Sequence, residues 1–347
     1  MKLFIHKLEP GVQMTLTYVP IQQTFGLDSV WEPLYQLTVH PEPFERELFQ
    51  CPAVRRLKHL HHYGAGALFS PVTHSRFEHT VGVWALLRHF FPGQREWHAA
   101  AILHDIGHLP FSHTIEQALG ISHHQMTEEA IAEPPVSEIL TRHGLSPQRI
   151  IELLNSDSPL THRSDWLGID HLDSFLRDTY MAGRYKLPPS EIVHRIRFHG
   201  IYMDTDEETA LHLLNAVIND NLMFLHPPFL AMDDLLSRAV HLFCYEQPGM
   251  QLAIARMTDA ELLSLLQSAA DACPELNGTL HVLLREPHKI ESCGETDPGA
   301  RKVGIRKLYL KQPLVGGLPL SSINPAAQEA LGKLESLPRA CYYRLRP

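Results

Sequence analysis

His74 to His113 read HSRFEHTVGVWALLRHFFPGQREWHAAAILHDIGHLPFSH. In the first half, Phe77, Val81, Trp84, Ala85, Leu86 and Leu87 surround His79, and Arg88 is the only strong charge after Glu78. That pattern predicts a largely buried helix. A lone histidine there is ordinarily a satisfied core residue. The second half changes the reading. AAAILHDIGH is an apolar helix that ends in His104-Asp105, with His108 and His113 following. Two adjacent titratable groups at the end of an Ala/Ile/Leu run are costly to bury without a partner. A divalent cation offsets that cost, because neutral imidazole and ionised carboxylate both coordinate it.

Three ligands leave such a site incomplete. The segment SDWLGIDHLDSFLRDTYMAG supplies Asp165, Asp170, Asp173 and Asp178 on one predicted helix. Asp170 and Asp173 are three apart and share a face. Trp166, Leu167, Ile169, Leu172, Phe175 and Leu176 make the helix too apolar to lie free on the surface.

The chain has 347 residues, 44% hydrophobic and 20% charged, as expected of a globular protein with one large core or two modest ones. A net charge of −9, without a Lys/Arg run, argues against nucleic acid as partner and leaves room for a local basic pocket. The five cysteines (Cys51, Cys244, Cys273, Cys293 and Cys341) form no C-x-x-C pair, which argues against a disulfide framework and a zinc ribbon and suits a cytoplasmic protein. Neither a signal peptide nor a membrane span is expected.

Alternation in VQMTLTYVPI and LYQLTVH predicts short strands within residues 1–45. Helical spacing follows near 52–62, 76–91, 95–105, 112–119, 123–132, 135–143 and 147–154, then over 165–180, 207–224, 230–246 and 258–270. Thr258 and Glu261 give the last helix a capping-box start. VGIRKLYL at 303–310 reads as a strand and Pro325–Leu337 as a helix.

His79, His104-Asp105 and Asp170 together resemble the H…HD…D signature of the HD-domain metal-dependent phosphohydrolases. THSRFEHTVGV, LHDIGHLPFSH, GIDHLDSFLRD and PAVRRLKHLHHYGAG extend the likeness toward the deoxynucleoside triphosphate triphosphohydrolase branch, from about Asp28 to Arg238, with weaker echoes in IRKLYLKQPLV. The resemblance implies a mainly α fold: a helical bundle with short N-terminal β strands and a small C-terminal α+β appendage. It divides the chain into a β-containing segment (1–45), the catalytic core (46–190), a helical extension (191–286) and the appendage (287–347). It implies one divalent metal ion (Mn, Fe, Co, Ni, Zn or Mg) on His79, His104, Asp105 and Asp170. His113 matches a histidine suited to general-acid work, with Glu116 as its acidic partner, and a helix-start histidine capped by Ser112 is the lesser alternative. His108, His123 and Arg76 match groups that face the reacting phosphate. Arg177-Asp178 matches a pair whose aspartate contacts a sugar hydroxyl. The family often forms homo-oligomers.

Departures from the branch bear on the substrate. A lysine expected after the last metal aspartate is His171, a sugar-packing tyrosine is Ser174, and a glutamine for the 3′-hydroxyl is His62. A phosphate-gripping arginine falls near Asp220, and the loop FSPVTHSRFEH is one residue short. Each lost charge-assisted hydrogen bond is worth about 1.5–3 kcal/mol, which protonated His171 and His62 would restore in part. The expected function is therefore hydrolysis of a phosphoester in a nucleotide or related small phosphorylated substrate. The alternatives are a dNTP triphosphohydrolase releasing tripolyphosphate and a non-catalytic nucleotide-binding module.

Overall fold

The computed structural model describes residues 28–305 and 307–346. The strand expected at 12–21 lies outside them. Strand β1 (Val30–Glu32) pairs antiparallel with β2 (Leu37–Val39), with Val30 opposite Val39. Helices then dominate: α1 (Pro43–Gln50), α2 (Pro52–Arg56), α3 (Arg76–Phe90), α4 (Arg95–Leu103), α5 (Glu116–Leu119), α6 (His123–Ala132), α7 (Val136–Arg142), α8 (Pro147–Leu154) and α9 (Ile169–Met181). After α10 (Pro189–Arg195), the hairpin β3 (Arg197–His199) and β4 (Tyr202–Asp204) leads into the long helices α11 (Glu207–Phe224) and α12 (Pro227–Glu246). Next come α13 (Gln251–Ala255), α14 (Asp259–Ala270), α15 (Pro274–Arg285), β5 (Ile290–Ser292), β6 (Arg301–Gly304), β7 (Leu314–Val315), β8 (Leu318–Pro319), α16 (Leu320–Ile323), α17 (Pro325–Glu335) and β9 (Ala340–Leu345). The mainly α class expected from the sequence holds. Among the described residues no helix is long and apolar enough to cross a membrane.

Two apolar cores carry the architecture. The first is built on α1, α3, α4, α8 and α9 around the fully buried Trp84, Phe44 and Leu103. The second surrounds α12 through Leu235 and Leu236 and takes in Phe111, Ile115 and Tyr343. The chain crosses between them at residues 104–115: Ile102 and Leu103 belong to the first core, Leu109 and Phe111 to the second. His104, Asp105, His108 and His113 lie at that crossing.

Two expected elements come out shorter, for identifiable reasons. The helix expected from 165 starts at Ile169. Residues before it bond elsewhere: Asp165 O accepts from Gln312 N, and Leu167 N donates to Gln312 O. Gly168 is required at the turn, since a Cβ there would sit 2.6 Å from Leu160 O. The strand expected over 303–310 is confined to Arg301–Gly304, which pairs with β9. Beyond it, Tyr309 leaves the sheet; its N donates to Asn221 Oδ1 at 3.0 Å and its O accepts from Asn221 Nδ2 at 2.9 Å. This brings residues 307–309 back to the bundle.

Candidate metal centre and phosphate cleft

Helix α3 is fixed at its start by a capping box between Ser75 and Glu78. Arg76 and His79 are three residues apart and therefore share the face turned to the site. Helix α4 ends at Leu103, leaving His104 and Asp105 just beyond it, and α9 presents Asp170 in its first turn. Four side chains from three segments converge. His79 Nε2 lies 3.1 Å from His104 Nε2, 3.2 Å from Asp170 Oδ1 and 3.9 Å from Asp105 Oδ2. His104 Nε2 is 3.5 Å from Asp105 Oδ1 and 3.8 Å from Asp170 Oδ1.

Two ligands ~2.1 Å from one ion are separated by roughly 3.0–3.5 Å at octahedral or tetrahedral angles. The spacings of 3.1, 3.2 and 3.5 Å fit that requirement, and those of 3.8 and 3.9 Å lie a few tenths of an ångström above it. The ring orientations fit as well. His79 Nδ1 bonds Asp173 Oδ2 at 2.8 Å, and His104 Nδ1 donates to Ala101 O at 2.8 Å. With both Nδ1 atoms so engaged, both Nε2 lone pairs face the same point, and lone pairs 3.1 Å apart want a cation between them. A proton competes with a cation for that point: burial disfavours charge on His79, but its hydrogen bonds to Asp170 and Asp173 outweigh that and push its pKa up to about 10, so the ion must displace the Nε2 proton. The residues fit a divalent ion of the first transition row or magnesium.

Asp173 anchors the arrangement. It accepts from Tyr35 Oη at 2.8 Å and from Arg177 Nε and Nη2 at 2.9 and 2.8 Å, and Arg177 Nη2 also reaches Glu32 Oε1 at 2.9 Å. Burial would raise the Asp173 pKa, but Arg177 and His79 hold it well below the usual carboxylate range. Gly82 on α3 makes room for this network: a Cβ there would lie 2.0 Å from Asp173 Oδ1 and 2.3 Å from Arg177 Nη2.

Beside the centre stands a second group. The His108 and His123 rings stack at 4.1 Å, with His113 edge-on to His123 at 4.8 Å. Glu116 lies behind them, bonded to His123 Nδ1 and 3.5 Å from His113 Nδ1. Burial opposes the Glu116 charge, yet these two histidines hold its carboxyl well below the usual range. For His113, the loss of water around a ring set down in the cleft outweighs Glu116 and sets its pKa below the ordinary 6.5. Its side chain is 50% exposed, open to the cleft. Ser112 does not cap a helix. It and Phe111 adopt left-handed φ of 58° and 53°, a strained pair for residues with a Cβ. Asp259 Oδ1 holds Phe111 N at 2.6 Å, and Ser112 Oγ accepts from Arg76 Nε at 2.7 Å. Arg76 Nη1 in turn bonds Asp105 Oδ2 at 2.5 Å.

A cleft of about 210 Å³ joins these groups. Of the residues singled out from the sequence for the site, Arg76, His62, His171 and Asp178 line it, as do the four metal ligands, His108, His113 and His123, whereas Glu116 and Arg177 do not. His171 is held down to about 4 by burial, against the pull of Asp170, and burial also sets His62 well below its ordinary value. Both are neutral at pH 7, so neither restores the missing positive charge. Lys307 does line the cleft, beside the Tyr309 ring at 4.6 Å. Sequence reasoning passed over Lys307, because a strand assignment for 303–310 hid the turn that delivers it. Asp173 and Glu32 were not assigned roles either; only the spacing of Asp170 and Asp173 hinted at the former.

Residues 76–199 match the HD domain family, which supports placing the chain in the HD-domain superfamily. It is 26% identical over 212 residues to the uncharacterized protein YwfO of Bacillus subtilis, covering 54% of this chain and 49% of that one. The match thus spans about half of that relative's length. It is 27% identical over 261 residues to the metal-dependent phosphohydrolase cns2 of Cordyceps militaris, covering 69% of this chain and 73% of that one. In fold it is similar to a phosphohydrolase of Bacteroides thetaiotaomicron, with a TM-score of 0.70, 16% identity, and coverage of 92% and 99% of the two chains.

Proposed function

We propose that the protein is a metal-dependent phosphohydrolase cleaving a phosphoester of a nucleotide or related small phosphorylated substrate. The observation that carries this reading is the convergence of His79 Nε2, His104 Nε2, Asp105 and Asp170 on one point beside three cleft-lining histidines. A bound divalent ion supplies Lewis acidity at a phosphoryl oxygen and a place for water. His79, His104, Asp105 and Asp170 hold it. Asp173 fixes the His79 tautomer through Nδ1. His113, exposed to the cleft, transfers a proton to the leaving oxygen, while Glu116 orients it from behind. His108 and His123 contact the phosphate and Lys307 offsets its charge. Arg76 holds Asp105 and borders the phosphate. His62, His171 and Asp178 face the rest of the substrate.

The charge balance favours a mono- or diester over a triphosphate. Arg76 and Lys307 are the only lysine or arginine side chains lining the cleft among the described residues, and Arg76 already pairs with Asp105. A triphosphate brings about four negative charges and calls for more cations than that. The test is to supply the chain with Mn²⁺ and offer phosphomonoesters, phosphodiesters and each dNTP. Orthophosphate from an ester supports the reading. Tripolyphosphate from a dNTP replaces it with dNTP triphosphohydrolase activity, and binding without turnover of any substrate replaces it with a nucleotide-binding module.

A further inference from the structure

His62, His74, Asp178 and Asp220 form a polar pocket in the inner wall of the cleft, apart from the four ligands already described. All four are buried, at 9%, 4%, 1% and 2% exposure. His62 Nδ1, both ring nitrogens of His74, both oxygens of Asp178 and Asp220 Oδ1 have no hydrogen-bond partner. Such density of unmet polar atoms is rare in a folded interior, where buried polar groups are almost always hydrogen-bonded or bound to an ion. The two carboxylates are close enough to perturb each other, and among the described residues neither pairs with a lysine or arginine. Arg177, next in sequence to Asp178, is committed to Asp173 and Glu32.

The distances suit donors around a common ion. His74 Nε2 lies 3.3 Å from Asp178 Oδ1, and His62 Nδ1 lies 3.6 Å from the same oxygen. These atoms are near, yet no hydrogen bond joins them. Ligands at ~2.1 Å from one tetrahedral ion stand ~3.4 Å apart. One donor atom from each of His62, His74 and Asp178 falls within 4.8 Å of the others.

We propose that His62, His74 and Asp178, with Asp220 beside them, hold a second divalent transition-metal ion, distinct from the ion of the His79–Asp170 centre. His62, Asp178 and Asp220 open onto the cleft, so an ion there has a coordination position facing it. Under the function proposed above, the site takes an oxygen of the substrate's non-phosphate part through that ion. The binding site itself does not depend on turnover.

The experiment is a metal count on the full chain, stripped by chelator, reloaded with Mn²⁺ alone and freed of excess by gel filtration. The expected result is about two Mn²⁺ per chain in the wild type, one in His74→Ala, one in His104→Ala and none in the double variant. One ion in the wild type overturns the proposal, as does a His74→Ala chain that keeps two; the carboxylates then share a proton instead. If His74→Ala does not fold by circular dichroism, His62→Ala from the cleft wall takes its place with the same expected loss. A His104→Ala chain that keeps both ions counts against the first centre and not against this one.

Discussion

Asp173→Asn is the most searching perturbation of the metal centre, because it leaves all four proposed ligands in place. The carboxylate accepts from Tyr35, His79 and twice from Arg177, and it is fully buried. The amide keeps the shape but removes the charge and turns one acceptor into a donor facing donors. Removing one partner of a buried ion pair costs about 3–5 kcal/mol. Glu32 still meets Arg177, which places the loss toward the lower end. Loss of the acceptor behind a metal-binding histidine weakens metal about 10–100-fold. Two assays separate the terms: urea unfolding of the metal-free chain for stability, and Mn²⁺ titration of the folded chain for affinity. Affinity within a factor of two of wild type would refute the claim that Asp173 sets the His79 tautomer.

Other expectations follow from the same geometry. His104→Ala and Asp105→Ala should each remove the ion of the first centre, whereas His113→Ala should keep it and lower kcat at least 100-fold; metal analysis beside kinetics checks both. Gly82→Ala should lower the melting temperature, since the overpacking cost of about 1–3 kcal/mol exceeds the ~1 kcal/mol that alanine gains in a helix. Lys307→Ala should raise KM for an anionic substrate up to about fivefold, an exposed charge being worth about 1 kcal/mol or less, with Lys307→Arg restoring it. His113 loses its proton as pH rises through a value below 6.5. If it is the acid, kcat at saturating Mn²⁺ should fall with rising pH above that point, and this limb should vanish in His113→Ala.

The helices that hold the centre were legible in the sequence because their signals are local. Apolar spacing around Trp84 and the Ala99–Leu103 run give α3 and α4 directly, and Thr258 with Glu261 gives the start of α14. Helices α1 and α15 were missed, and both open on a proline after Glu42 or Cys273. Proline interrupts a helical pattern in its interior, yet at a first helical position it starts a helix as readily as it ends one. The return of Tyr309 to Asn221 was not legible, since it depends on contacts 88 residues apart. Nor was the depressed pKa of His113. A neighbouring carboxylate such as Glu116 raises an imidazole's pKa, but the loss of water around the ring outweighs it here, and that is set by the fold.

The return of Lys307 and Tyr309 to the cleft has a consequence for the order in which the protein is made. All four ligands of the first centre have left the ribosome once Asp170 has emerged, but the wall opposite them waits for residues 307–312 and the bonds of Tyr309 to Asn221 and of Gln312 to Asp165 and Leu167. Domains begin to fold as they emerge, N-terminal part first. A nascent chain therefore has ion-binding groups before it has a closed substrate cleft, and its capacity to load metal precedes its capacity to discriminate among phosphate esters.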